Sequence, residues 1–220
     1  MDIKQVIGEK ATEYVKDGMI VGLGTGSTAY WAVKKIGELV KNGLRIKGVP
    51  TSEGTEALAT EVGIPLLKVN NVEYIDITID GADEFDSEKN LIKGGGGALL
   101  REKIIASMTQ FYVIISDVSK KSKTLGSFPL PVEVTPFAWI VTSRQLEKLG
   151  CATTIRMNKD QIYVTDNNNY ILDCRFKSID NPKKLSEQIN SIPGVVENGL
   201  FPGMAQLIIT NDSDGNAIII

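Results

Sequence analysis

Short apolar runs that end in glycine-rich turns and lead into helical spacing recur through the first half of the chain. This pattern restricts the fold more than any other feature. Residues 19–23 are apolar and are followed by GTGST at 24–28. Ala29, Ala32, Val33, Ile36, Leu39 and Val40 then recur at helical spacing until Gly43. Ile75, Ile77 and Ile79 alternate with Asp76, Thr78 and Asp80, so a strand is expected to end in a carboxylate. KGGGG at 93–97 precedes a helical pattern over 98–108, and 111–115 is again an apolar strand. Helices over 3–16 and 55–62 and strands over 45–49 and 64–69 complete the alternation. Repeated strand–helix units predict an α/β fold, an open, mostly parallel sheet with helices on both faces. In such sheets ligands lie beyond the carboxyl ends of the strands. Fifteen of the 21 glycines lie at or before Gly97, which puts the ligand loops in this half.

The pattern changes at FPLPVEVTP, 128–136, where three prolines in nine residues suit an extended connector. Beyond it the spacing predicts a helix over 137–149, strands near 153–157, 161–165 and 170–176, a turn at 166–169 and a helix over 182–190. The expected organisation is a Rossmann-like α/β domain, residues 1–127 with 202–220, and a smaller α+β domain, 128–201. The apolar tail segments 206–210 and 217–220 are expected to rejoin the first sheet.

The chain of 220 residues contains no histidine, which excludes a Ser-His-Asp or Cys-His pair and an HExxH zinc site. Acid–base chemistry must fall to Asp, Glu, Lys, Tyr or Cys. A net charge of −3 supplies no broad basic field for nucleic acid or an anionic membrane, so an anionic substrate needs local positive potential. Two cysteines, Cys151 and Cys174, are too few for a disulfide framework and read as buried thiols of a reducing compartment. The charged start MDIKQVIGEK lacks the apolar run of a signal peptide, and no stretch approaches the roughly 18–20 apolar residues of a membrane span. The chain therefore reads as cytoplasmic.

Four segments carry candidate chemistry. GLGTGST at 22–28 joins a strand to a helix N-terminus, where free N–H groups and the helix dipole favour an anion such as phosphate. Its spacing is neither GxGxxG nor a Walker loop. The alternative is a structural turn with Ser27 as helix cap. In DGADE at 80–84, Asp80 and Asp83 flank a Gly-Ala turn and could point into one pocket. Alternatively Asp83 caps the turn and Asp80 is solvated. Two aspartates without histidine make a weak metal site, so none is expected. In KGGGGALLREK at 93–103, four glycines imply close main-chain approach to a ligand, and Lys93 suits an anion. Glu102 has apolar neighbours at i±3 and i±4 that could desolvate it. Arg101 and Lys103 have similar neighbours, so periodicity does not separate a buried base from a solvated charged face. Finally, SDVSKK at 116–121 is either the cationic side of an anion pocket or a solvated loop.

Taken in order, GLGTGSTA, TSEGTEALA, DGADEFD, LIKGGGGALLREKIIA, SDVSKK and FPLPVEV resemble the ribose-5-phosphate isomerases of the A type. The resemblance is dense over about residues 20–136 and thins afterwards, where SIPGV at 191–195 precedes GLF at 199–201. It implies a metal-free and cofactor-free aldose–ketose isomerase that interconverts ribose 5-phosphate and ribulose 5-phosphate. It also implies Glu102 as the proton-transfer base. Asp80 and Asp83 would bind sugar hydroxyls, Asp80 assisting ring opening, with Gly81 and Ala82 between them. Lys93 and the amides of Gly94, Gly95 and Gly96 would stabilise an enediolate oxygen. Thr25, Gly26, Ser27 and Thr28 would line the substrate pocket, and Lys4 and Lys120 stand where the family places substrate-contacting lysines. A homodimer or homotetramer is implied, with neither nucleic acid nor membrane as partner. Two departures stand out: Gly97 replaces a frequent Ala and Leu100 a common Thr. A coenzyme A transferase with a nucleophilic glutamate and a phosphosugar-sensing module are the competing readings.

Overall fold

The computed structural model describes residues 2–220. In chain order the elements are α1 (Ile3–Ala11), β1 (Ile20–Leu23), α2 (Ala29–Lys41), β2 (Lys47–Pro50), α3 (Glu53–Glu61), β3 (Ile75–Gly81), β4 (Glu84–Phe85), β5 (Leu91–Ile92), α4 (Leu99–Ser107), β6 (Thr109–Ile115), β7 (Leu130–Val134) and α5 (Trp139–Glu147). They continue with β8 (Ala152–Ile155), β9 (Met157–Asn158), β10 (Gln161–Ile162), β11 (Tyr170–Arg175), α6 (Pro182–Asn190), β12 (Val195–Asn198), β13 (Leu200–Phe201), β14 (Leu207–Asn211) and β15 (Ala217–Ile219). The chain divides into two compact units. One contains the chain as far as Ala82 together with Arg101–Lys121 and Gly203–Ile220, the other Asp83–Leu100 and Ser122–Pro202.

The first unit is built on a six-stranded sheet in the order β15-β14-β6-β3-β1-β2. Every neighbouring pair is parallel except β14 and β15. The tail strands thus rejoin the sheet as the sequence predicts. One apolar cluster joins Val21, Leu23, Ile77, Ile79 and Val113 of the strands to Ile7 of α1, Ile36 of α2 and Ala59 of α3. A smaller cluster joins Val49 and Ile75 to Ile105 of α4. The alternation in β3 is not the signature of a half-solvated strand. Thr78 and Asp80 on its polar side are fully buried, Thr78 sharing a 2.6 Å hydroxyl contact with Thr109. Helix α1 is shorter than the expected 3–16 and gives way to a 3₁₀ turn at Thr12–Tyr14. Residues 64–69 do not form the expected strand. Pro65 has no N–H to give, and only Gly48 N to Pro65 O (2.8 Å) and Leu67 N to Gly48 O (2.9 Å) tie the segment to β2.

The second unit carries a four-stranded antiparallel sheet, β12-β7-β11-β8, and a three-stranded one, β13-β5-β4. Its core joins Leu130, Val132 and Val134 to Leu172, Leu146 of α5 and Ile189 of α6. The proline-rich segment read as a connector is here β7, buried along its whole length. Pro131 lacks a donor, but its carbonyl accepts from Gly199 N at 2.8 Å. The unit also extends further back along the chain than the expected 128–201. Residues 84–85 and 91–92 pair, through β5, with β13, which ties Asp83–Leu100 to this unit. Cys151 and Cys174 are both buried free thiols. Among the described residues, no helix is long and apolar enough to cross a membrane.

Candidate active site

In the first unit the carboxyl ends of β1 and β3 meet around Asp80. Its side chain is fully buried, so the solvated alternative does not hold. Oδ1 accepts from Thr25 N (3.1 Å) and Gly81 N (2.8 Å), and Oδ2 accepts from the Tyr112 hydroxyl (3.1 Å). Gly24 permits this arrangement: a Cβ there would lie 2.3 Å from Asp80 Oδ1 and 2.5 Å from both Asp80 Cα and Ile79 O. Glycine lets the turn press against β3 and form the 2.9 Å bond from Gly24 N to Ile79 O. Thr25 Oγ1 sits in a cluster of hydroxyls, 2.7 Å from Thr51 Oγ1, 2.8 Å from Ser52 Oγ and 3.1 Å from Thr55 Oγ1. The TSEGT segment therefore braces the turn from the start of α3.

Ser27 is not the cap of α2. Thr28 occupies that position without a side-chain cap bond, and Ser27 Oγ instead accepts from Lys4 Nζ at 3.0 Å. Gly26 and Ser27 are exposed and Thr28 is buried. Lys120, in a 3₁₀ turn at Val118–Lys120, is also exposed. Asp117 reports on both lysines. Its carboxyl is held below the usual range first by the Ser119 N–H and hydroxyl, with the charges of Lys120 and Lys4 adding to the effect. Half-buried Lys4 and exposed Ser27 thus meet at the start of α2, a cation and a hydroxyl suited to an anion.

Helix α4 separates the three candidate charges that periodicity could not. Glu102 is buried, 4% exposed, on the same side as Ile105 and Ala106. Arg101 and Lys103 are half-buried, and Arg101 pairs with Glu53 at 3.4 Å. Tyr112, absent from the sequence-derived set, is fully buried. Burial first, then the charges of Asp80 and Glu102, push its phenol well above the ordinary value. A phenol so placed stays protonated and acts as a donor. The signal for it in the sequence was one polar tip within the apolar run of β6.

The second unit holds the rest. Asp83 belongs to this unit, and its Oδ2 accepts from Gly95 N at 2.6 Å. The Gly95 amide is therefore engaged within the protein. Lys93 is 1% exposed and its Nζ lies 5.5 Å from the centroid of the Phe201 ring. Arg156, also absent from the sequence-derived set, donates through Nη1 to the carbonyls of Gly94 (2.8 Å) and Gly95 (3.1 Å). Glu84 is structural. Burial opposes its charge, but Ser122 and the amides of Phe128, Gly126 and Ser127 hold it below the usual carboxylate range.

The sequence profile of ribose 5-phosphate isomerase A (phosphoriboisomerase A) matches residues 47–215. Ribose-5-phosphate isomerase A 1 of Oceanobacillus iheyensis is 54% identical over 213 residues, covering 96% of this chain and 95% of that protein. Ribose-5-phosphate isomerase A of Bacillus mycoides is 48% identical over 216 residues, covering 98% of each. Among solved structures, a D-ribose-5-phosphate isomerase in complex with phospho-erythronic acid superposes with a TM-score of 0.96 at 37% identity, covering 100% of this chain and 97% of that one. The isomerase from Methanocaldococcus jannaschii gives a TM-score of 0.94 at 38% identity, covering 100% and 98%.

Proposed function

The chain belongs to the ribose 5-phosphate isomerase A family, and from that premise we propose that it interconverts ribose 5-phosphate and ribulose 5-phosphate through an enediolate, with Glu102 as the base. The burial of Glu102 is the observation that carries the reading. A desolvated carboxylate has the proton affinity such a base requires. Glu102 removes the C2 proton of the open-chain aldose and returns it to C1. Asp80, held by three donors, takes a sugar hydroxyl and assists ring opening. Asp83 takes a second hydroxyl. Lys93 and loop amides stabilise the negative oxygen. Since Gly95 N–H is engaged by Asp83, the amides of Gly94 and Gly96 are assigned this task. General acid–base catalysis contributes roughly 10²–10⁴ in rate and a preorganised donor about 10²–10³. Binding of the distant phosphate supplies positioning.

The near-complete coverage of isomerase relatives favours this reading over the transferase and the sensor module. A solved relative is described in complex with phospho-erythronic acid, a phosphorylated acid whose planar carboxylate matches the flat charged end of an enediolate. The family reading also carries a cytoplasmic homodimer or homotetramer.

The phosphate is assigned to Lys4, Ser27, Thr28 and Lys120, with Thr25 and Gly26 completing the turn. Lys4→Ala and Lys120→Ala are each expected to raise KM by roughly tenfold, the equivalent of about 1.4 kcal/mol, with kcat little changed. Steady-state kinetics on ribose 5-phosphate reads this. A fall in kcat at unchanged KM would move the phosphate elsewhere.

Following ribulose 5-phosphate formation by purified, chelator-treated protein tests the activity as a whole. Among the described residues, no three His, Cys, Asp or Glu side chains group to hold a metal ion. Turnover is expected to survive exhaustive EDTA treatment. Loss of activity with rescue by a divalent ion would contradict the metal-free assignment.

A further inference from the structure

Gly97, the fourth glycine of the KGGGG run, packs against Tyr163 within the second unit. Gly97 has φ +84°, and a Cβ there would lie 2.2 Å from Oη of Tyr163, 2.6 Å from its Cζ and 2.7 Å from its Cε1. The Tyr163 side chain occupies the space a methyl group would need, and its hydroxyl donates to Gly96 O at 3.3 Å. Across the β9–β10 hairpin, Tyr163 N donates to Arg156 O at 2.9 Å, so the two residues stand opposite each other. The Arg156 guanidinium lies 6.0 Å from the Tyr163 ring centroid. It is fixed by both oxygens of Asp173, through Nε at 3.0 Å and through Nη2. Its remaining nitrogen, Nη1, reaches Gly94 O and Gly95 O.

Three consecutive carbonyls are thus held from one hairpin. A peptide unit is planar with its C=O and N–H opposed, so fixing a carbonyl fixes the direction of the next residue's N–H. The carbonyls of Gly94, Gly95 and Gly96 orient the amides of Gly95, Gly96 and Gly97. Gly95 N–H goes to Asp83 and Gly97 N–H to Gly94 O at 2.9 Å. Gly96 N–H, set by the carbonyl that Arg156 holds, takes no acceptor among the described residues. We propose that Arg156 and Tyr163 are positioning residues that aim the Gly96 amide, with Tyr163 and Gly97 a matched pair. Four glycines are too free to hold such an aim alone. This inference rests on the isomerase reading for what the amide stabilises, but not for the clamp itself.

Two readouts keep those apart: kinetics on ribose 5-phosphate, and amide hydrogen exchange of the loop in substrate-free protein. Arg156→Lys keeps the charge but cannot span Asp173 and two carbonyls. It is expected to lower kcat roughly 10–100-fold, with KM and Tm little changed, and to speed exchange in the loop. Tyr163→Phe, which removes only the hydroxyl, is expected to lower kcat about threefold and to speed exchange at Gly97. Gly97→Ala is expected to lose much of the activity. In the Tyr163→Ala background the same change is expected to cost at least about threefold less, the non-additivity of a contacting pair. Unchanged loop exchange in Arg156→Lys and Tyr163→Phe, or equal Gly97→Ala penalties in both backgrounds, would overturn the clamp. Wild-type protein that fails to convert ribose 5-phosphate would instead overturn the isomerase reading, and the exchange data would still decide the clamp.

Discussion

Glu102→Gln is expected to lower kcat by at least about a hundredfold while KM stays within about threefold. Glutamine matches glutamate in shape, so a side chain only 4% exposed can be exchanged without opening a cavity. What is lost is the ability to take a proton from carbon. The size of the effect follows from the roughly 10²–10⁴ that general acid–base catalysis supplies. The donors proposed for the substrate, from Lys93 and the loop, and the lysines proposed for its phosphate survive the change, so binding is expected to persist. With no histidine in the chain, no imidazole can substitute for the missing carboxylate. Near-normal turnover would remove Glu102 from the mechanism.

Gly24→Ala is expected to have the second large effect, on stability and activity together. Two of the three atoms a Cβ would meet within 2.5 Å, Asp80 Cα and Ile79 O, belong to the backbone of β3 and cannot swing aside. Overpacking of this kind costs about 1–3 kcal/mol or more, and about 2–4 °C of Tm per kcal/mol applies to a chain of this length. A fall in Tm of roughly 5–10 °C is therefore expected, with at least about a tenfold loss of kcat/KM at temperatures where the protein is folded. The activity loss follows because pushing β1 from β3 breaks the bond from Thr25 N to Asp80. Gly54→Ala is the control: within α3, the nearest atom to the added methyl is Ser52 Oγ at 3.9 Å. Its Tm should be unchanged or slightly higher, since alanine favours helix. Thermal denaturation of both variants checks the contrast. A Gly24→Ala protein as stable and active as the parent would show that the turn can retreat from β3.

Helix α6 begins and ends where its residues predict. Asn181 accepts from Lys184 N at 3.0 Å and Pro182 occupies the first turn, so both start signals are local. Elements whose logic is tertiary were not legible in this way. Strand β7 reads as a linker because of its prolines, but burial against β11 and β12 makes it a strand. Residues 64–69 read as a strand because they are apolar, yet Pro65 limits their pairing. The candidate site divides along the same line. Glycine-rich turns and carboxylates at strand ends announce Asp80, the GTGST turn and the KGGGG run, because their chemistry is written into consecutive residues. Tyr112, Arg156 and Tyr163 stayed hidden because their partners lie 32, 62 and 67 residues away in the chain. Glu102 could be separated from Arg101 and Lys103 only by knowing which side of α4 is covered.

Isomerisation of ribose 5-phosphate in D₂O, read by NMR at C1 of the ribulose 5-phosphate formed, tests the transfer of a proton by Glu102 most directly. A carboxylate that holds the migrating hydrogen as a proton exchanges it with solvent. Deuterium is therefore expected at C1 with the parent enzyme, and its appearance should slow in step with turnover in Glu102→Gln. Incorporation at the parent rate in Glu102→Gln would contradict the assignment of Glu102 as the base.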